Sequence, residues 1–184
     1  QIYKLYDQLG QTTDPEQRKA IQAQINEASV EAGKYSILNE MSNLINEMGG
    51  TRLNAGTGPD VTMFYNAFPP NQINRWIELY SHRFQDPVFR AFQSELEVVY
   101  EEKNLYSDQF FSVLFEAFSK QFFKKHPYGQ QPLIGTIEHL KNPSLTRMSE
   151  FYNTWYVANN MALVLSGDFN SEKVIPERLL VSSY

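Results

Sequence analysis

The stretch "TRLNAGTGPDVTMFYNAF", residues 51–68, decides the fold class, because polar and apolar residues alternate around the turn run Gly56-Thr57-Gly58-Pro59-Asp60. Alternation at period two marks a strand with one face covered, and a Gly/Pro/Asp cluster between two such runs joins them as a hairpin. Two antiparallel strands are therefore expected at 51–55 and 61–66. Gly49-Gly50 in front and Pro69-Pro70 behind bound the unit.

Everything on either side of the hairpin reads as helix. Upstream, "QIYKLYDQLG" (1–10) puts Ile2, Leu5, Tyr6 and Leu9 on one side and reads as the end of an amphipathic helix, so a piece trimmed from a longer natural protein is expected. Thr13 and Glu16 stand at capping-box spacing with Pro15 in the first turn, opening a helix that carries Ile21, Ile25, Ala28 and Ala32 and ends near Gly33. A second helix runs from about Ser36 to Met48 with Ile37, Met41, Leu44 and Ile45 on one face, stopped by Gly49-Gly50.

Downstream, a helix from Asn71 to about Phe84 places Ile73, Trp76, Ile77 and Tyr80 together, and Pro87 separates it from a helix at 88 to about 105. A Phe-rich helix from Asp108 to Phe123 is expected to face the core. The loop "KKHPYGQQPLIGTIEHL" (124–140) leads to a helix from Ser144, its N-cap, to Trp155. The continuous apolar run Met161 to Ser166 suits a central strand covered on both faces. These elements give an α+β protein, a mostly antiparallel sheet with helices packed on one side.

Composition narrows the function classes. At 184 residues with 14% aromatics the chain has material for one domain with a real core. A net charge of -5 without a basic block argues against nucleic acid as a partner. No apolar run approaches the roughly 18 residues of a membrane span. With no cysteine there is no disulfide and no thiolate metal site, and the compartment stays open. His82, His126 and His139 do not stand at the spacing by which one helix offers two ligands to zinc, and there is no phosphate loop or Gly-x-Ser-x-Gly elbow.

"ELEVVYEEKN" (95–104) is the unusual segment, too acidic for a buried seam and too apolar for a plain surface. On a helix Glu95 and Glu102 lie two turns apart on nearly the same face, with Val98 and Val99 between them on the inward side. Such a pair is either a solvated charge run or a metal ligand with its supporting carboxylate.

The order of these segments resembles the pitrilysin, or insulinase-like, zinc metallopeptidase family, the inverted-motif zincins. The carriers are Gly49-Gly50, Asn54-Ala55-Gly56-Thr57, the return strand from Asp60 through Thr62 to Tyr65, the Glu95 to Glu102 helix, His126-Pro127-Tyr128-Gly129, and Asn160 through Gly167-Asp168. They span roughly residues 36–170, behind a helical insertion at 1–35, and the resemblance implies a single peptidase-like domain over 1–184, truncated at its N-terminus.

By that resemblance Glu102 matches the third zinc ligand, Glu95 a supporting carboxylate, and Asn54, Ala55, Gly56 and Thr57 the edge strand to which a peptide substrate adds. The family's His-x-x-Glu-His helix should precede the Gly-Gly turn, yet residues 1–50 hold no histidine. Zinc is thus expected in the full-length parent and none on this chain, which is expected to be inactive by itself. The parent would pair companion peptidase-like domains around the peptide. The alternative is a non-catalytic pseudo-peptidase subunit that binds peptides or proteins. Exposed sheet edges add homodimerisation of the fragment to the expectations.

Overall fold

Ile2, Leu5, Tyr6 and Leu9 fall on one stripe, and burying that stripe is what makes the first element a helix in place. The computed structural model, which describes residues 1–85, 87–89 and 91–174, runs α1 (Ile2–Gln11), α2 (Pro15–Gly33), α3 (Glu40–Glu47), β1 (Thr51–Thr57), β2 (Thr62–Ala67) and α4 (Ile73–Gln85). It continues with α5 (Phe92–Ser107), α6 (Phe110–Phe122), α7 (Pro127–Gln130), α8 (Ile137–Lys141) and α9 (Leu145–Trp155). The chain is α+β, with β1 and β2 paired as a two-stranded antiparallel hairpin. Arg90, inside the expected helix at 88–105, and residues 175–184 of the expected domain lie outside the described residues.

Among the described residues the chain divides into two compact units, within 1–38, 56–63 and 88–155 for one and within 39–55, 64–87 and 156–174 for the other. In the first, α1 packs on α2 and α9, and Leu5, Tyr6, Leu9, Ile25 and Leu145 form a buried cluster edged by Phe89, Phe92 and Met148. Each such side chain contributes about 1.5–3 kcal/mol by leaving water. Arg18 ties the helix ends, donating to the carbonyls of Leu9 at 2.6 Å and Thr12 at 2.9 Å and to Asn142 Oδ1 at 2.7 Å. Asp7 accepts from the hydroxyls of Thr146 at 2.8 Å and Ser144 at 3.2 Å.

In the second unit Ile45, Met48, Trp76 and Tyr80 are buried together, with Leu53, Phe64, Phe68 and Leu165 against them. Asn66 Oδ1 accepts from both Trp76 Nε1 (2.7 Å) and the Tyr80 hydroxyl (2.9 Å), so the two polar tips of the cluster are satisfied by one amide. Gly50 sits so close to Ile45 that a Cβ there would lie 2.7 Å from its Cγ2, which is why the Gly-Gly turn tolerates no side chain.

Four expectations are corrected. The second helix begins at Glu40 rather than Ser36, because Asn39 takes a left-handed backbone at φ 56° and Ile37 stays exposed. The cap of α2 is Asp14, whose Oδ1 accepts from the Gln17 amide at 2.9 Å, one residue beyond the expected Thr13. Met161–Ser166 is not a strand. Met161 is extended (φ -121°, ψ 147°), but among the described residues the only strands are β1 and β2, and this run joins neither in a ladder. Finally, α6 does not face the core: Phe110, Phe111, Phe115, Phe118 and Phe122 are exposed, and Ser119 is its buried residue. Its neighbours are α5 and the short α7.

Candidate functional site

α5 carries the two glutamates, and the residues that hold it in place are spaced at helical period. Phe92, Gln93, Leu96, Val99, Tyr100 and Lys103 are buried or half-buried along one stripe. The Tyr6 ring meets Phe92 edge-on at 5.2 Å, and its hydroxyl donates to Gln93 Oε1 at 2.5 Å. Gln93 Nε2 in turn donates to Glu97 Oε1 at 3.1 Å. Near the other end Lys103, only 8% exposed, reaches Glu116 of α6 at 3.5 Å. The carboxylate offsets part of the cost of covering that ammonium group.

Glu95 and Glu102 fall off that stripe, and both are exposed. Val98, expected to point inward, shares their face and is exposed, whereas Val99 is half-buried. Leu105 and Tyr106 continue the same face. It is therefore a mixed surface of carboxylates and apolar side chains, more apolar than a simple solvated charge run.

Asn54, Ala55, Gly56 and Thr57 form the last four residues of β1, all exposed. β1 has one neighbour, β2, so its other edge carries no ladder partner among the described residues. Gly58 N–H donates to Val61 O at 2.7 Å and closes the tip of the hairpin. Asp60, in that tip, accepts a hydrogen bond from the Tyr128 hydroxyl. That contact joins two segments 68 residues apart, and no spacing or periodicity announces it.

Three histidines stand on three separate elements. His82 is on α4, His126 caps α7 through Nδ1, which accepts from the Tyr128 amide at 3.4 Å, and His139 is on α8. No three His, Cys, Asp or Glu side chains among the described residues form a group able to hold a metal. Catalytic zinc takes three protein ligands with an open position for water. Glu102 offers one carboxylate and α5 has no histidine, so the donors among the described residues do not by themselves fit a zinc site. A depression of about 210 Å³ lined by Leu44, Met48, Arg75, Glu78, Leu79 and His82 is smaller than the roughly 300 Å³ at which small-molecule pockets begin.

Residues 15–136 match the model of the insulinase family, peptidase family M16. The chain is 26% identical over 138 residues to a zinc protease, PqqE, of Helicobacter pylori, covering 73% of this chain and 31% of that protein. It is 24% identical over 140 residues to an uncharacterised zinc protease of Rickettsia felis (74% and 34%) and 26% identical over 130 residues to the uncharacterised zinc protease YmfH of Bacillus subtilis (70% and 30%). The chain thus spans about a third of the length of these relatives. No solved structure matches significantly.

Proposed function

Because the chain belongs to the insulinase family of peptidases, peptidase family M16, we propose that it supplies the carboxylate side and the peptide-receiving edge of a zinc-dependent endopeptidase whose histidine ligands lie outside this chain. Glu102 is the zinc ligand and Glu95 the group that orients a ligand through hydrogen bonding. The outer edge of β1, at Asn54 to Thr57, takes an extended peptide by main-chain hydrogen bonds. By itself the chain holds no catalytic zinc and cleaves nothing, since one carboxylate cannot hold the metal against water and no general base stands beside it. Companion peptidase-like domains enclose the peptide in the whole protein.

One observation carries this reading: the face of α5 that bears both glutamates also bears exposed Val98 and Leu105. A purely solvated face has no need of those apolar groups, whereas a wall facing a substrate chamber uses both kinds. The names of the relatives, all zinc proteases, support the metal.

The test compares bound zinc and hydrolysis of a fluorogenic peptide for this chain and for the whole natural protein, each with and without Glu102→Gln. The whole protein should bind zinc and cleave, and Glu102→Gln should cost more than the roughly 10- to 100-fold that losing an outer-shell partner costs. Full activity in the Glu102→Gln protein would remove Glu102 from the ligand set. A whole protein with neither zinc nor activity would leave the non-catalytic peptide-binding subunit.

A further inference from the structure

The loop around His126-Pro127-Tyr128-Gly129 has no part in the reading above, yet it is built to hold one side chain still. Its Tyr128 ring lies 4.3 Å from the His126 ring and 5.5 Å from the Phe123 ring, both near perpendicular. His126 Nδ1 takes the Tyr128 amide proton at 3.4 Å. Gln130 Nε2 donates to Lys124 O at 2.6 Å, folding the loop back on the end of α6. At Gly129 a Cβ would lie 2.3 Å from Phe123 O and 2.6 Å from Ser119 O, so the loop is pressed directly onto backbone. The hydroxyl of this anchored tyrosine donates to Asp60, and that bond raises the phenol above its ordinary value.

The tip of the hairpin needs such a hold. Leu53 and Phe64 hold the base of the strands against a core, but Gly56, Gly58 and Pro59 at the tip offer little side-chain packing; a Cβ at Gly56 would meet nothing within 4 Å. Asp60 lies between the strands, in the same compact unit as Gly56, Thr57 and Tyr128. We propose that Tyr128 is a positioning residue that anchors the hairpin tip through Asp60, fixing Gly56 and Thr57 of the edge that receives the peptide. The peptide part of this inference rests on the function proposed above; the anchoring part stands on the contact itself. A partner already held in place loses little freedom when it forms its bond, so a single exposed hydrogen bond suffices to hold the tip.

The experiment uses this chain with Tyr128→Phe, which keeps the ring packing, and Asp60→Asn, which keeps the side-chain size. Amide hydrogen exchange at 56–63 is read alongside exchange in α1 and α2, and binding is followed with a fluorescein-labelled, uncharged ten-residue peptide. Both variants should speed exchange at 56–63 at least threefold, leave α1 and α2 unchanged, and weaken the peptide about three- to tenfold at an unchanged Tm. Unchanged exchange at the tip in both variants overturns the anchor. Equal acceleration in α1 and α2 also overturns it, since the contact would then serve general stability. If the unsubstituted chain binds no peptide while the tip still loosens in both variants, the anchor stands and the peptide-receiving edge falls.

Discussion

Tyr6 shows how one buried hydroxyl sets a pH limit. It is 2% exposed, and burial first, with the Glu97 charge second, pushes its phenol up to about 12. Below pH 10 both the folded and the unfolded chain keep the proton, and the stabilisation is complete. Between about 10 and 12 the unfolded phenol ionises while the folded one does not, so stability falls and levels off above 12. The loss is on the order of 2–3 kcal/mol. Because other tyrosines and lysines titrate in the same window, the check is urea unfolding of Tyr6→Phe beside the natural chain from pH 9 to 12: the variant should show the shallower decline, and parallel curves would refute the assignment. Gly129 gives a second test at this scale. Gly129→Ala should cost about 1–3 kcal/mol in thermal or chemical unfolding, because the added methyl meets backbone oxygens that cannot swing away. Gly56→Ala, in open space, should stay within about 0.5 kcal/mol.

Among the elements, Arg18 is the tie most exposed to mutation, since one guanidinium satisfies the last carbonyls of α1 and reaches Asn142 just past α8. Arg18→Met should destabilise by about 2–3 kcal/mol, and Arg18→Lys should recover less than half of that because an ammonium lacks the planar fork. A loss under about 0.5 kcal/mol on denaturation would mean that water replaces the arginine without penalty. The main helices were legible from the chain because apolar residues at three- and four-residue spacing, together with Pro15, the Gly49-Gly50 pair and Ser144, mark both the faces and the ends. What escaped has physical causes. α7 and α8 are too short to show a period. Phe content told that α6 wants burial but not whether anything covers it, and the apolar run at 161–166 told what a strand would bury without supplying strands to pair with. The Glu95 and Glu102 face followed from seven-residue spacing alone, whereas the Tyr128 to Asp60 contact left no mark because nothing local encodes a bond across 68 residues.

For the molecule as a whole, those uncovered surfaces have a consequence in solution. On one unit Phe111 is 80% and Phe115 70% exposed; on the other Val164 is 83% exposed beside Leu163. Contiguous apolar surface beyond a few hundred Å² drives association, and an apolar run outside any ladder can pair with another chain. The chain is therefore expected to self-associate as concentration rises, by light scattering, from a mass near 21.4 kDa toward that of a dimer or larger. The two surfaces separate cleanly by substitution, because each residue is exposed and its replacement should leave the fold within about 0.5 kcal/mol. Phe111→Lys with Phe115→Lys removes association through the helix face, and Val164→Lys removes pairing through the apolar run at 161–166. Strand pairing would also raise the strand signal in circular dichroism with concentration, whereas helix-face packing would not. A constant monomeric mass across concentrations would mean that both surfaces remain hydrated in the free chain, and self-association would then have no place in its behaviour.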